Sequence, residues 1–340
     1  MTDFKNKIVL ITGGASGAGR GQAEVFTEAG AKVIIADVNQ ARIDEVVATG
    51  AAVEGVKLDV RDREGWAKLA DDIEKKYGET LDLLVLTAGV NAFGPAEATD
   101  FKTFDFITEI VYTGVANGLI TFVPRMIKKG KGGAIASTVS WGALGSGATV
   151  APYCAAKAAQ LNLLESYYEA LKPYNIHVTA VCPANINSHI YESQLEMIKE
   201  NGKSGYNITE DTAKLLSTIH AHGMEPRDLA NYMKKALEEK VFLCIPYKSG
   251  PEMVAEALER MPLLASKDGI AELARRAAQP PTAQQLKFMS EREGYDITAP
   301  RTGELAKPAD DAPTLDWGKV GFGKAAADVD FVDPSKRQNA

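Results

Sequence analysis

A chain of 340 residues, 45% hydrophobic and 24% charged, has globular composition and enough apolar material for a large core without cross-links. Its net charge of −7 argues against a sequence-independent nucleic-acid binder, which needs a basic face to meet phosphates. Three cysteines, Cys154, Cys182 and Cys244, make no disulfide framework, the polar start Met1–Lys7 lacks a signal-peptide pattern, and no apolar run approaches a bilayer span. The expectation is a cytoplasmic protein with neither a membrane nor a nucleic acid as partner. Ile8–Thr12, apolar and rich in β-branched residues, reads as the first strand. It ends in a glycine-rich turn, residues 13–19, and a helix pattern runs from there to Ala29, where Gly30 stops it. A strand at Lys32–Val38, a helix at Ala41–Ala48, a strand at Val53–Val60 and a helix at Glu64–Tyr77 follow. Leu81–Leu86 is the fourth strand, and Phe101–Lys129 is one long helical stretch whose end Pro124 should bend. Ala134–Ser140 is the fifth strand, Pro152–Leu171 a helix with Pro173 just beyond, and Ile176–Cys182 the sixth strand. Helices at Tyr191–Glu200, Glu210–His220 and Arg227–Glu238 precede a last strand, Val241–Pro246. Past Tyr247, Glu252–Arg260 and Asp268–Ala278 read as helices, and prolines, glycines and charges dominate from Pro280 to Ala340. Alternating strands and helices imply crossovers, hence an α/β fold: a doubly wound, mostly parallel seven-stranded sheet with helices on both faces. Residues 1–247 form the expected globular domain, with 189–226 a long insertion able to cover a ligand. Residues 248–340 form a C-terminal extension, helical and then irregular, either wrapped over the body or partly disordered.

The turn Thr12-Gly13-x-x-x-Gly17-x-Gly19 lies between a strand and a helix. A helix N-terminus there offers unpaired N–H groups to a pyrophosphate, and Gly13, Ser16, Gly17 and Gly19 allow close approach. A glycine pattern alone is weak and is often only a tight turn. Asp37 ends the second strand at about the offset of an acid that hydrogen-bonds the adenosine ribose hydroxyls. Its charge repels a 2′-phosphate, and Gly14, Ala15 and Ser16 supply no cation in compensation, so NAD is expected rather than NADP.

Ser140 ends the fifth strand, and Tyr153 and Lys157, four apart, share one face of the next helix. A free phenol has a pKa of roughly 10, and a nearby ammonium lowers it toward use as a base. Serine holds a substrate oxygen, so the three together suit proton transfer coupled to hydride transfer. At these residues the sequence resembles the short-chain dehydrogenase/reductase family, whose motifs fall in order from Lys7 to Tyr247 and whose sheet is of the Rossmann type. The resemblance implies catalysis by Ser140, Tyr153 and Lys157. It implies adenine contacts from Asp59 and Val60, ribose support from Ala88 and Gly89, nicotinamide-side contacts from Pro183, Ile186 and Ser188, and a ribose contact from Lys157. It also implies a homodimer or homotetramer paired through helices 101–129 and 152–171, where Gly114, Ala155, Ala156, Ala158 and Ala159 let helices approach.

Three departures stand out. Leu86-Thr87-Ala88-Gly89 replaces the family's Asn-Asn-Ala-Gly, and Pro183-Ala184 replaces Pro-Gly. Val111 stands where an asparagine commonly serves a proton relay, with Thr108 one helical turn earlier as a candidate substitute. A narrower likeness links Ser217-x-Ile219-His220-x-His222-Gly223-x-Glu225-Pro226, Asn91-Ala92-Phe93-Gly94-Pro95 and Ile245-Pro246-Tyr247 to the Cα-dehydrogenases of bacterial lignin β-aryl ether breakdown. It implies oxidation of a bulky benzylic secondary alcohol to its ketone. A steroid or other polycyclic alcohol is the alternative substrate, and a low-turnover dinucleotide-binding sensor or scaffold the alternative function. Phe93, Trp141, Leu144, Tyr191 and Tyr206 are candidate walls for a hydrophobic alcohol or ketone, each equally readable as core. His220 and His222, two apart with no further ligand, read as structural or lid residues and not as a metal site. Cys154 reads as a packing residue.

Overall fold

The computed structural model describes residues 3–201, 206, 210–247, 250–269 and 271. The first half alternates β1 (Ile8–Thr12), α1 (Gly17–Glu28), β2 (Lys32–Asp37), α2 (Gln40–Ala48), β3 (Glu54–Lys57), α3 (Arg63–Tyr77), β4 (Leu83–Leu86), α4 (Phe101–Thr108) and α5 (Gly114–Lys129). β5 (Gly133–Thr138), α6 (Ala151–Leu171), β6 (Ile176–Val181), α7 (Ser193–Asn201), α8 (Glu210–Ala221), α9 (Pro226–Glu239), β7 (Leu243–Cys244) and α10 (Gly250–Leu264) follow. The seven strands form one sheet in the order β3-β2-β1-β4-β5-β6-β7. Every pair is parallel, so the expectation of a mostly parallel sheet is met in full. β1 and β4 are neighbours, and the chain leaves them in opposite directions. A crevice therefore opens between their carboxyl ends.

Both faces of the sheet are covered, which is why its central strands are apolar throughout instead of alternating. On one face Trp66 and Leu69 of α3, Phe122 and Met126 of α5 and Leu164 of α6 pack on Leu10, Leu84 and Ile135. On the other, Phe26 of α1, Ile43 of α2 and Met233 of α9 pack on Val9, Ile35 and Val85. A smaller cluster, including Phe106, Ile107, Val111, Ala156, Met197 and Tyr206, lies apart from these two.

Several strands are shorter than their apolar runs. β3 ends at Lys57, and the chain then turns, leaving the carbonyl of Val60 to the Trp66 indole and the Asn117 amide, each at 2.9 Å. The last strand keeps only Leu243–Cys244 of the expected Val241–Pro246. The expected single helix Phe101–Lys129 divides at a wider turn, Glu109–Thr113, in which the Gly114 N–H donates to the carbonyl of Glu109. Pro124 lies inside α5, which continues to Lys129. Contrary to the sequence reading, Phe101–Lys129 is long and apolar enough to cross a bilayer by length and composition, but more than half of its most apolar part is buried within the protein. Two of the small residues expected between subunits pack inward: Ala156 is buried, and a Cβ on Gly114 would lie 2.6 Å from Val60. The helix expected at Glu252–Arg260 falls within α10, and most of Asp268–Ala278 and all of 280–340 lie outside the described residues.

Candidate active site

The carboxyl ends of the strands open into a cavity of about 1370 Å³. At one end it meets the start of α1. Ser16 precedes that helix in extended geometry and its side chain makes no capping bond, so the first-turn N–H groups face the cavity without a side-chain partner. The turn is tight because two positions have no room for a side chain. A Cβ on Gly13, which sits at φ +66, would lie 2.8 Å from the Ala88 Cα, and one on Gly19 would lie 2.0 Å from the Gly13 carbonyl oxygen. Asp37 faces the same space, its carboxylate accepting from the Ala15 N–H at 3.2 Å and the Asn39 N–H at 3.1 Å. An uncapped helix start, a backbone cradle and a carboxylate in one cavity fit a dinucleotide: pyrophosphate on the amides, ribose hydroxyls on Asp37.

Two arginines also line this end, and each is held by an acid. Arg61 forks onto Asp59, with Nη2 at 2.6 Å. Burial works to raise the Asp59 carboxyl, but hydrogen bonds from Arg61 more than offset it and hold the group below its usual range. Arg42 pairs with Glu192 at 3.3 Å, joining α2 to the turn before α7.

Under the cavity floor, side chains tie the strand ends together. The Gln22 amide donates to Thr138 Oγ1 at 3.0 Å and accepts from Thr87 Oγ1 at 2.7 Å, while Thr12 Oγ1 accepts the N–H groups of Thr87 and Ala88. Thr87 is thus part of this network through its hydroxyl, and Leu86 joins the core. Nothing in the local sequence of α1 flags Gln22, a fully buried polar residue on an otherwise apolar face.

Ser140, Tyr153 and Lys157 meet on one wall. The Ser140 hydroxyl accepts from the Gly142 N–H at 3.0 Å, which fixes its orientation. Lys157, 3% exposed, donates to the Thr138 carbonyl at 2.8 Å and lies 5.7 Å from the Tyr153 ring centroid. Burial pushes the Tyr153 phenol up to about 12, with the Ser140 hydrogen bond acting the other way, and pulls the Lys157 ammonium down to about 7. The shift at Tyr153 is opposite to that expected from a neighbouring ammonium: removal from water disfavours the phenolate, and the Ser140 hydrogen bond offsets only part of it.

Gly17, Asp59, Val60, Ala88, Gly89, Pro183, Ile186, Ser188, Phe93 and Trp141 also line the cavity. Leu144, Tyr191 and Tyr206 do not. Tyr206 is fully buried, its ring filling the space left by the missing side chain of Gly94 and its hydroxyl 2.6 Å from Thr99 Oγ1. Leu144 closes the short turn Trp141–Ala143, and Tyr191 stacks on His220, which does line the cavity. Val111 is fully buried in the apolar cluster. Thr108 does not line the cavity, and its hydroxyl donates to the Phe104 carbonyl at 2.8 Å. Gln194, unmarked by any motif, is a buried staple: its Oε1 accepts from the Phe93 N–H at 3.0 Å, and its Nε2 donates to the carbonyls of Phe93 and Tyr206.

Residues 7–199 match the model of the short chain dehydrogenase family. The C alpha-dehydrogenase of Sphingobium sp. (strain NBRC 103272 / SYK-6) is 45% identical over 264 residues, covering 76% of this chain and 85% of that protein. The apo crystal structure of LigD from Sphingobium sp. strain SYK-6 covers 82% of this chain and all of its own, at 36% identity and a TM-score of 0.63. A short chain dehydrogenase/reductase from Burkholderia phymatum, solved in complex with NAD, covers 83% of this chain and all of its own, at 25% identity and a TM-score of 0.72.

Proposed function

The chain belongs to the short-chain dehydrogenase family and is an oxidoreductase, and from that premise we propose that it interconverts a bulky benzylic secondary alcohol and its ketone with NAD. The observation that carries this reading is one cavity shared by Ser140, Tyr153 and Lys157 at one part and by Asp37 and the uncapped start of α1 at another. The 45% identity to a C alpha-dehydrogenase supports the benzylic substrate.

A bound oxidised nicotinamide would supply the hydride acceptor. Ser140 Oγ holds the carbinol oxygen. Tyr153 takes the hydroxyl proton in oxidation and returns it in reduction. Lys157 favours the phenolate by charge and holds the ribose, and its lowered pKa lets it change protonation near neutrality. Gly13, Ser16, Gly17 and Gly19 hold the pyrophosphate, and Asp37 the adenosine ribose. Asp59 and Val60 bound the adenine; Ala88, Gly89, Pro183, Ile186 and Ser188 line the nicotinamide half. NAD is preferred to NADP because Asp37 repels a 2′-phosphate, and Arg42 and Arg61 are already neutralised by Glu192 and Asp59. Within a catalytic domain of residues 1–247, the insertion 189–226 covers the substrate, with Phe93 and Trp141 as apolar wall. The protein works in the cytoplasm as a homodimer or homotetramer.

The test is NADH formation by purified protein from benzylic β-aryl ether alcohols, steroids and aliphatic alcohols, with NADP in parallel. Benzylic turnover with NAD is expected, and Tyr153→Phe should lower kcat by about 10² to 10⁴ while NAD binding holds. Turnover of steroids alone would discard the benzylic substrate. Tight NAD binding without turnover of any alcohol would favour a sensor, the reading that the buried Val111 at the relay position supports.

A further inference from the structure

One polar group on the cavity wall has no part in the chemistry above. His220 lies near the end of α8, and its ring is held on three sides. Its Nδ1 is 3.3 Å from the carbonyl oxygen of Ile186. The Tyr191 ring stacks on it at 5.9 Å between centroids and 24° between planes, and the Phe93 ring meets it edge-on at 6.3 Å and 66°. The backbone is fixed too, because the Asn185 amide donates to the carbonyl of Ile219 at 2.8 Å. A carbonyl only accepts, so Nδ1 carries the proton and Nε2 carries a lone pair. Nε2 has no hydrogen-bond partner among the described residues and is not among the polar atoms sealed off by packing. Burial lowers the imidazole pKa, so the neutral ring with its free acceptor is the form present at neutral pH. His222 differs: it is exposed, off the cavity, and bound through Nδ1 to the Thr218 carbonyl at 2.7 Å.

A rigid lone pair between two aromatic rings selects for a donor, since a ligand that leaves it unmatched forfeits a hydrogen bond inside a desolvated site. We propose that His220 is a positioning residue that accepts a hydrogen bond from a substrate hydroxyl other than the reacting carbinol, so that the preferred substrates are aromatic alcohols carrying a second hydroxyl. The inference deepens the dehydrogenase reading and rests on it.

The test compares kcat/KM for pairs of benzylic alcohols that differ only in a hydroxyl or a methoxy group at one ring position, taken position by position. The wild type should prefer the hydroxyl member of at least one pair by about five- to tenfold. His220→Phe keeps the ring stack but has no acceptor, and should bring that ratio to about one while leaving the methoxy member within about threefold. His220→Gln, whose amide oxygen accepts, should recover much of the preference. A wild type with no preference at any position overturns the proposal, as does a His220→Phe variant that lowers both members equally. If no alcohol is turned over, the dehydrogenase reading fails instead. Calorimetric affinities of the same pairs in the presence of NAD then decide the role of His220, and equal affinities overturn it.

Discussion

Tyr153 and Lys157 are driven in opposite senses by one cause, their removal from water, which disfavours the charge on each. Their types and spacing were readable in the sequence because the chemistry demands a phenol and an ammonium one helical turn apart. The sense of the phenol's shift was not, because it depends on burial contributed by distant segments. Gln194 and the orientation of His220 were illegible for the same reason: their partners, Phe93 and Ile186, come from other elements. Val111 shows how a residue's surroundings decide a substitution. An asparagine there would place an amide among Phe106, Ile107, Met197 and Tyr206. Val111→Asn should therefore cost about 2 kcal/mol of stability without raising turnover more than about twofold, measured by chemical denaturation and steady-state rates. A large rise in turnover with NAD affinity unchanged would instead mark the native relay as crippled.

Elements were legible where periodicity and punctuation agreed. β1 and α6 match their expected spans to within a residue, and α1 ends within a residue of its expected stop, because glycine or proline marks these ends; α1 begins earlier than expected, at Gly17 inside the glycine turn. The division of Phe101–Lys129 at Glu109–Thr113 escaped because no proline or glycine pair announces it, and the edge strands β3 and β7 shrank because pairing on one side stabilises fewer residues. One ion pair secures the strand ends opposite the cavity. Asp82, just before β4, accepts from the Ile8 N–H at 2.9 Å and from Lys129 Nζ, at the end of α5, at 2.8 Å. Burial works to raise the Asp82 carboxyl, but the Lys129 hydrogen bond leads the contacts that hold it below the ordinary value of 3.8. A depressed carboxyl contributes stability that is present above that ordinary value and is lost as pH falls through the folded-state pKa. Asp82→Asn should cost about 2 kcal/mol at neutral pH, and the difference from wild type should shrink on acidification. KM for NAD should not move, because the pair lies at the far ends of the strands; a changed KM would contradict that separation.

For the whole molecule, a parallel sheet with helices on both faces followed from alternation, whereas the order of its strands, and with it the place of the crevice, came only with the structure; the layout of the insertion was equally hidden, since no period governs it. A dinucleotide bound across the crevice stabilises the folded state by mass action, by about 2.7 kcal/mol at a hundred times its dissociation constant. The thermal midpoint should rise accordingly with NAD. Gly19→Ala should abolish the rise, because its Cβ would meet the Gly13 carbonyl oxygen; an undiminished rise would place the pyrophosphate elsewhere. Phe101, 87% exposed, and Ile120, 66% exposed, lie on the helices through which a dimer or tetramer is proposed, and light scattering showing a monomer at micromolar concentration would remove that assembly. Gln194 carries a consequence for re-engineering the pocket. One amide grips the backbone of both Phe93 and Tyr206, so the cavity wall and the segment behind it are a welded joint. Tyr191, by contrast, meets the pocket through its ring contact with His220, like a removable insert. A library aimed at wider or narrower alcohols should therefore vary His220 and Tyr191 and leave residues 93 and 194 as chassis.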